Sequence, residues 1–443
     1  MFLPEKVLFC MQTLRQAGFS AYAVGGCVRD SLLGLTPHDY DMCTNALPRE
    51  TANLFADHTL VRSGEKHGTI GVVIDGEVLE ITTFRTEGGY QDSRHPDWVR
   101  FVSNIEEDLS RRDFTVNAMA YAPETGYIDP FGGGEDLEKK ILRAVGDPET
   151  RFTEDALRIL RGVRFGVRFG LTPEPDTLQA MEKLSPLMDK LARERVFEEL
   201  CKLLPLVTAE DLLTYREILV QAVPVLAPCV GFEQHNPHHK YDVYTHTAQV
   251  VEAAPKDLAL RWAALLHDCG KPEAFFLDAA GRGHFHGHAS LSAQKADALL
   301  HILKAPTALR ERVVFLVAQH MTELLPDKKL LRKRLGRWGA EATFQLLALQ
   351  EADFGGKGTD EADDQFAAVR GLLQELLAEN ACLTVKDLQV DGRDLMAIGF
   401  AADPSLGACL AYLLEQVQEE QLPNEKSALL AAAKAFLQKE SLS

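Results

Sequence analysis

The spacing of apolar and polar residues changes along the chain and predicts two kinds of structure. Within residues 1–144, it predicts a helix at about 4–17 that ends at Gly18, followed by a short strand, FSAYAV. The segment TIGVVIDGEVLEITTFR (69–85) predicts two β-branched strands around an Asp75-Gly76 turn, a hairpin signal. Beyond about residue 150, apolar residues recur at helical spacing, as in EDALRILRGVRFG and LARERVFEELCKLL. A mixed α/β part is therefore expected before a longer helical part.

Composition narrows the class of protein. The chain has 443 residues, of which 46% are apolar, so we expect several compact units with a large core. We expect neither a signal peptide nor a membrane span, because the sequence lacks an N-terminal apolar h-region and any run of about 18 apolar residues. The eight cysteines include no CxxC pair, which predicts thiols in a reducing cytoplasm. With a net charge of −18, binding to a nucleic acid would need local basic patches.

Two aspartates follow a glycine-rich turn in AVGGCVRDSLLGLTPHDYDMCT (23–44). If DYDMCT is a strand, Asp39 and Asp41 lie on one face, where their charges repel unless a cation binds between them. Carboxylate oxygens suit Mg²⁺, and Glu80 in VLEITTF is the candidate for a third acid. The preceding VGGCVRDSLLG predicts a strand, a turn and a helix, and such a turn lets backbone N–H groups approach a phosphate.

The order GG, VRD, DxD and Glu resembles the nucleotidyltransferase superfamily to which DNA polymerase β belongs. Four further motifs follow in order: RRDFTVNAMAY (111–121), DPFGG (129–133), EDALRILRGVRF (154–165) and RERVFEEL (193–200). The whole series resembles the class II bacterial tRNA nucleotidyltransferases, the CCA-adding enzymes. Bacterial poly(A) polymerases share these motifs.

This resemblance implies an α+β chain with a polymerase-β-like head, built on a mixed sheet with helices, before an all-α neck, HD and tail region. The expected domains are the head at 1–144, the base-reading neck at 145–205, a helical body with an HD domain at 206–355 and a tRNA-binding tail at 356–443. The implied activity is template-independent, Mg-dependent addition of CCA to the 3′ end of tRNA from CTP and ATP, with release of pyrophosphate.

Selection of C and A has a simple chemical basis. Cytosine and adenine each present an amino donor beside a ring-nitrogen acceptor, so one carboxylate and one guanidinium can accept both and reject U and G. Asp155 and Arg158, three apart on a predicted helix, match the family's base-reading pair. By the same resemblance, the residues holding the nucleotide and its phosphates are Gly25, Gly26, Arg29, Arg111, Arg112, Asp113, Asn117, Arg161 and Arg164. For Asp113, a buried cap or ion pair is the alternative.

A polar loop at 86–100 contains Tyr90, Asp92, Arg94 and Pro96 and resembles the flexible element of complete CCA-adding enzymes. In that family, shortening of this loop accompanies loss of A addition. The loop has full length here, which favours CCA addition over CC addition alone, although enzymes that add only A can retain it.

Histidine is concentrated in one region, since ten of the fourteen histidines lie between 235 and 320. The motif HDCGK and its surroundings resemble the HD phosphohydrolase superfamily. His246, His267, Asp268 and Asp353 match its single-metal set, with His288 and His320 as possible ligands of a second metal. Such ligands suit Ni, Mn, Zn or Fe. The domain could hydrolyse 2′,3′-cyclic or terminal phosphates of RNA, or it could keep the motif and only support the tRNA-binding body.

The remaining features leave alternatives open. For His235, His238, His239, His284 and His286, surface or packing roles are favoured over ligand or RNA contacts. The segment KKLLRKRLGRWG (328–339) could bind tRNA phosphates or form a solvated helix face. The expected partners are tRNA, CTP and ATP, with no membrane, and the chain could be a monomer or a homodimer.

Three other functions compete with CCA addition. The first is a poly(A) polymerase, or an enzyme that adds only CC or only A. The second is an HD-domain metal phosphohydrolase that uses the transferase half to bind RNA, and the third is a non-catalytic RNA-binding protein.

Overall fold

The computed structural model describes residues 1–88, 98–235, 240–357, 364–379 and 381–440. The chain divides into two compact units: Met1–Ala227 with Ile302–Ala305, and Pro228–His301 with Pro306–Ser443. The finer division at residues 144, 205 and 355 stays a prediction. Within the described residues, no helix combines the length and apolar character that crossing a bilayer requires.

The first unit begins with α/β structure and continues with helices. Its elements are α1 (Glu5–Gln16), β1 (Ala21–Val24), α2 (Gly26–Leu32), β2 (Met42–Thr44), α3 (Pro48–Leu54), β3 (Thr59–Val61), β4 (Thr69–Ile74), β5 (Glu77–Thr83), β6 (Arg85–Gly88), β7 (Trp98–Phe101), α4 (Ile105–Ser110), β8 (Ala120–Ala122), β9 (Gly126–Ile128), α5 (Gly133–Glu138), β10 (Ile141–Leu142), α6 (Pro148–Glu154), α7 (Leu157–Phe169), β11 (Thr172–Pro173), α8 (Pro175–Leu184), α9 (Arg193–Leu203), α10 (Ala209–Thr214) and α11 (Arg216–Ala222).

A mixed sheet forms the centre of this unit. Its strand order is β3-β4-β5-β2-β1-β8-β9, and β2 pairs with β5 in parallel while the neighbouring pairs are antiparallel. The predicted hairpin is confirmed as β4 and β5. Its turn residues Asp75 and Gly76 have φ values of 51° and 80°, as a two-residue turn matched to strand twist requires. The sheet thus brings β1, β2 and β5 side by side.

The second unit is almost entirely helical. Its elements are α12 (Val243–Ala253), α13 (Leu258–Leu266), α14 (Lys271–Ala274), β12 (Phe276–Leu277), β13 (Gly283–His284), α15 (His288–Ile302), α16 (Thr307–Gln319), α17 (Lys328–Trp338), α18 (Ala340–Gly355), α19 (Asp364–Ala378), α20 (Gly392–Ala397), α21 (Pro404–Gln418) and α22 (Lys426–Glu440). The helices α12, α13, α16 and α18 pack against one another. A separate apolar core joins α20, α21 and α22.

The predicted fold class is confirmed: a mixed sheet with helices precedes a helical remainder. The predicted thiol state also holds, because all eight cysteines lie in the described residues and each is a thiol rather than half of a disulfide.

Candidate active site and candidate metal centre

A glycine turn between β1 and α2 forms one wall of a cavity in the first unit. Gly25 has a φ of 73°, and a Cβ at this position would lie 2.7 Å from Nη1 of Arg112. Glycine is therefore required both by the backbone conformation and by the close approach of a guanidinium. The predicted order of strand, turn and helix is confirmed, and the turn opens onto a polar cavity.

This cavity has a volume of about 430 Å³ and is lined by Gly25, Gly26, Arg29, Asp41, Arg111, Arg112, Asp113, Asn117, Asp155, Leu157, Arg158, Arg161, Phe165 and Arg195. It contains six arginines and only three aspartates, in a chain whose net charge is −18. The local excess of positive charge suits a polyphosphate, and it is a local basic patch of the kind that an acidic chain needs to bind phosphates.

Asp39 and Asp41 lie in the loop that leads into β2. The prediction that both aspartates are on a strand is wrong, because β2 begins at Met42, although the carbonyl of Asp41 accepts a hydrogen bond from the N–H of Val24 at 3.0 Å. Their shared face stays a prediction. The parallel register pairs Met42 with Ile81, so Asp41 and Glu80 each lie one residue before these partners. The sheet therefore brings a loop carboxylate and a strand carboxylate close together, although neither Asp39 nor Glu80 lines the cavity.

The charges of these three carboxylates interact. Partial desolvation, together with the charges of Asp41 and Asp39, raises the pKa of Glu80. Desolvation also raises the pKa of Asp41, assisted by Asp39 and opposed by Arg112, although the residue keeps exposed surface. The arrangement is open: the side chain of Asp39 is 87% exposed and its Oδ1 lies 3.1 Å from Nδ1 of His38. A hard cation would relieve this repulsion, so the donor set fits Mg²⁺.

A buried network anchors the middle of the cavity. Asp113 accepts hydrogen bonds from Nε and Nη2 of Arg161 at 2.9 and 2.7 Å and from Nδ2 of Asn117 at 3.0 Å. Burial opposes ionisation, but Arg161 and Asn117 prevail and lower the pKa of Asp113 to about 2. Asn117 in turn accepts a hydrogen bond from the guanidinium of Arg29, which stacks 4.2 Å from the centre of the Phe169 ring. Asp113 is thus a fixed anion that orients Arg161.

The predicted base-reading pair also lines the cavity, but by a different route. Asp155 is not helical: its extended backbone, with a φ of −143°, separates α6 from α7. Its Oδ1 accepts a hydrogen bond from the N–H of Leu157 at 3.1 Å. The prediction that Asp155 and Arg158 share a face of one helix is therefore wrong. Both residues line the cavity, Asp155 from the break between α6 and α7 and Arg158 from α7 itself.

Arg195 is a cavity residue that the sequence analysis did not single out. Its Nη2 lies 2.8 Å from Oδ2 of Asp155 and its Nη1 lies 3.3 Å from Oδ1, so the guanidinium holds both carboxylate oxygens. Arg195 belongs to the RERVFEEL motif, and its place in this motif is the feature of the sequence that could have identified it as a site residue. Arg158 is fixed separately, through Glu154 Oε2 at 2.7 Å and the carbonyl of Arg111 at 3.1 Å.

The other predicted arginines differ in role. Arg111 and Arg112 both pair with the fully buried Asp108. Arg164 does not line the cavity, and its Nε lies 2.6 Å from Oε2 of Glu199, where the two side chains form a buried ion pair between α7 and α9. A role for Arg164 in holding the nucleotide therefore finds no support in this geometry.

The second unit gathers the predicted HD residues into one buried cluster. His246, His267 and Asp268 place ligand atoms within 4.8 Å of one another, and Asp268, His288 and His320 do the same. Nε2 of His246 lies 2.9 Å from Oδ1 of Asp353. The structure thus brings together all six predicted metal-binding residues, which come from α12, α15, α18 and the ends of α13 and α16.

The histidine tautomers favour metal binding. Each Nδ1 lies 2.7 to 3.1 Å from a backbone carbonyl oxygen, which makes Nδ1 a donor and leaves Nε2 as the ligand atom of His246, His267, His288 and His320. Within the described residues, Nε2 of His267 and Oδ2 of Asp268 are buried without a well-aligned hydrogen-bond partner. Although burial opposes it, His267 and Lys271 hold the pKa of Asp268 well below its usual range. These residues fit a divalent transition metal.

The remaining histidines and the basic segment have local partners. His235 packs against Phe275, and His284 pairs with Asp278, whereas His238 and His239 lie outside the described residues. The same holds for most of the predicted loop, since residues 89–97, including Tyr90, Asp92, Arg94 and Pro96, are not described. On α17, three basic residues pair with glutamates of the same unit: Lys328, Arg332 and Lys333. Arg332 is buried, and the accessible pairs of Lys328 and Lys333 favour a solvated helix face at those two positions.

Comparison with known proteins agrees with this geometry. Three family models match the chain: "Poly A polymerase head domain" at residues 21–143, "Probable RNA and SrmB- binding site of polymerase A" at 170–214 and "tRNA nucleotidyltransferase domain 2 putative" at 285–433. The fold and the arginine-rich cavity beside paired carboxylates define a nucleotidyltransferase of the polymerase-β type.

The similarity extends over nearly the full length of individual relatives. The chain is 38% identical to the CCA-adding enzyme of Levilactobacillus brevis over 95% of both proteins, and 35% identical to that of Latilactobacillus sakei over 98% of this chain and 99% of the relative. The chain therefore belongs to the family of CCA-adding enzymes.

Solved structures show the same fold. The Bacillus stearothermophilus CCA-adding enzyme in complex with CTP superposes with a TM-score of 0.73 at 29% identity, with 100% of both chains covered. The Thermotoga maritima CCA-adding enzyme, solved in complex with tRNA, superposes with a TM-score of 0.62 at 19% identity, covering 98% of this chain and 96% of the other. The second similarity concerns the fold alone.

Proposed function

We propose that this chain adds CCA to the 3′ end of tRNA from CTP and ATP, without a nucleic-acid template. The observation that carries this proposal is the convergence of Asp41, the arginine-rich cavity and the Asp155–Arg158 pair on one site. Membership of the CCA-adding family supports it.

The chain's own groups divide the work. Arg29, Arg112 and Arg161 present positive charge to a triphosphate, and the glycine turn lets the backbone approach it. Asp41, Asp39 and Glu80 would hold Mg²⁺, which supplies charge neutralisation and a more acidic 3′-hydroxyl when bound. The 3′-hydroxyl gives its proton to solvent, its oxygen attacks the α-phosphorus, the bond from that phosphorus to the bridging oxygen breaks, and pyrophosphate leaves.

Asp155 and Arg158 would read the base. The carboxylate accepts the exocyclic amino hydrogen of cytosine or adenine, and the guanidinium donates to the ring nitrogen. Arg158 uses three N–H bonds to Glu154, to the Arg151 carbonyl and to the Arg111 carbonyl, which fixes the orientation of a group that has five donors. Uracil and guanine present a carbonyl to Asp155, so two acceptors would face each other.

The test uses labelled tRNA transcripts that end before CCA, after C and after CC. Each transcript is incubated with Mg²⁺ and CTP, ATP or both, and products are resolved at single-nucleotide length. We expect two C additions and then one A, with no further extension. A long tail with ATP alone would indicate a poly(A) polymerase, and addition of only CC or only A would indicate a partial enzyme.

Matched variants connect the activity to the site. Asp41→Asn should abolish C addition, whereas Asp57→Asn, an exposed carboxylate of the same unit, should not change it. Full C addition by Asp41→Asn would refute the proposed metal site.

A second activity is supported by the buried histidine cluster: metal-dependent hydrolysis of phosphoesters at RNA 3′ ends. Bound there, a divalent metal would polarise the phosphate and activate water. For a 2′,3′-cyclic phosphate, water adds to phosphorus, one bond from phosphorus to a ribose oxygen breaks, and that oxygen takes up the proton. Release of a phosphomonoester by the chain with Ni²⁺ or Mn²⁺, lost in Asp268→Ala, would establish this activity. Retention of the hydrolysis by Asp268→Ala would exclude this site as its source.

A further inference from the structure

Three aromatic rings form a cluster at the mouth of the histidine pocket. Phe276 and His284 are cross-strand partners in the β12–β13 hairpin, and His286 follows two residues later. Their ring centres lie 5.3 to 5.6 Å apart, with planes inclined by 22° to 42°. We call Phe276, His284 and His286 the ring cluster.

The ring cluster is open to solvent. Phe276 is 45% exposed and His286 is also exposed, while Asp278 holds His284 in place through a 2.8 Å contact to Nε2. Phe276 and His286 thus leave ring surface in water, which a flat aromatic ligand would cover. Nucleobases stack on such side chains irrespective of base identity.

The cluster adjoins a charged cavity. His284 and His286 line a cavity of about 230 Å³, together with the proposed metal ligands Asp268, His288, His320 and Asp353. Lys271 and Lys357 line the same cavity. Nζ of Lys271 lies 2.7 Å from Oδ2 of Asp268, so a fixed positive charge stands directly beside the candidate metal position.

We propose that the ring cluster binds the base of a nucleotide whose ribose phosphate enters this cavity. Lys271 and Lys357 then attract the phosphate while the base lies on the rings outside. The ring cluster would thus add a contact to the base outside the cavity to the phosphate contacts inside it. The inference rests on the proposed phosphohydrolase function, for which it names the residues that bind the base.

Matched variants of the full-length chain separate stacking from other roles. His286→Ala removes a ring, His286→Tyr restores an aromatic face, and His286→Lys supplies a positive charge without a ring. Leu277→Ala is the control, because Leu277 is 53% exposed on the same strand as Phe276 but points to the opposite face.

Kinetics with the metal-loaded chain use three cyclic phosphates: adenosine 2′,3′-cyclic phosphate, a short RNA with the same terminus, and methyl riboside 2,3-cyclic phosphate, which has no base. For the first two, we expect His286→Ala and His286→Lys to raise KM roughly tenfold, and His286→Tyr to stay near wild type. The KM for the base-free substrate should be the same in the wild type and in all variants. A rise in KM for the RNA alone would identify RNA ends as the substrate. An equal rise for the RNA and for adenosine 2′,3′-cyclic phosphate would show that mononucleotides are also substrates.

Hydrogen exchange gives a readout that does not depend on turnover. Adenosine 2′-phosphate should protect residues 276–286 in the wild type and in Leu277→Ala but not in His286→Ala, and methyl riboside 2-phosphate should give no protection. Equal loss of affinity for base-free substrates, or equal effects of Leu277→Ala and His286→Ala, would overturn the inference. If no metal supports hydrolysis, the phosphohydrolase proposal fails, and protection of residues 276–286 alone decides whether the ring cluster binds a base.

Discussion

Replacing Arg195 with alanine should impair base selection without disturbing the fold. In the structure, its guanidinium donates to both oxygens of Asp155, at 2.8 and 3.3 Å. Both side chains are partly buried, with exposures of 22% and 17%. Asp155 lies at a break between two helices rather than inside one. Among the described residues, the remaining hydrogen bond to its carboxylate would be that from the N–H of Leu157. The carboxylate should then lose its fixed orientation.

The expected magnitude follows from these contacts. A hydrogen bond between charged groups contributes about 1.5–3 kcal/mol, and the lower half of this range is appropriate for a partly exposed pair. A loss of about 1.5–2 kcal/mol in transition-state stabilisation lowers kcat/KM roughly 10- to 30-fold. Since Asp155 is proposed to read both bases, CTP and ATP should be affected alike, and discrimination against UTP should weaken.

The assay measures kcat/KM for single additions of CMP, AMP and UMP to tRNA transcripts of defined 3′ end. Arg193→Ala is the matched control, because Arg193 lies on the same helix and, within the described residues, its ion pair is with Asp189, a solvent-accessible pair that contributes little. The kcat/KM of Arg195→Lys should lie between those of the wild type and Arg195→Ala, because an ammonium group cannot bind both carboxylate oxygens as the planar guanidinium does. Wild-type kcat/KM and wild-type rejection of UTP in Arg195→Ala would refute the reasoning.

Three further predictions concern stability. Because Arg161 and Asn117 lower the pKa of Asp113 from 3.8 to about 2, ionised Asp113 stabilises the fold by about 2 kcal/mol above about pH 4, and this contribution disappears as the pH falls towards 2. The difference in unfolding free energy between wild type and Asp113→Asn, measured by urea titration, should therefore shrink between about pH 4 and pH 2. A constant difference would contradict the assignment. Gly25→Ala should lower the free energy of unfolding by at least 1 kcal/mol and reduce nucleotide binding, because its Cβ would displace Arg112; unchanged calorimetric stability would count against the turn geometry. Adding Ni²⁺ or Mn²⁺ to metal-free protein should raise Tm in the wild type and not in His267→Ala, and an equal rise in both would place the metal elsewhere.

Sequence patterns determined those features that depend on local chemistry. The Asp75-Gly76 hairpin was predictable because its turn requires two residues with positive φ, and the glycine turn at 25–26 because the apolar run before it forms a strand. The resemblance to the HD phosphohydrolase superfamily indicated the six candidate ligands, which the structure brings together. The order of the motifs was enough to predict the family.

Tertiary structure decided which side chains meet. DYDMCT resembled a strand, yet Asp39 and Asp41 precede β2, because pairing with β5 begins only where Met42 aligns with Ile81. EDALRILRGVRF resembled one helix, yet Asp155 occupies a break, and this places its carboxylate where Arg195 from another helix can reach it.

Helical spacing also grouped Arg164 with Arg161, although one pairs with Glu199 and the other with Asp113 in the cavity. The spacing of residues in the sequence shows which side chains share a face of one helix or strand. The acidic partners of Arg161 and Arg164, however, come from parts of the chain that are distant in sequence. Only the packed fold determines those partners.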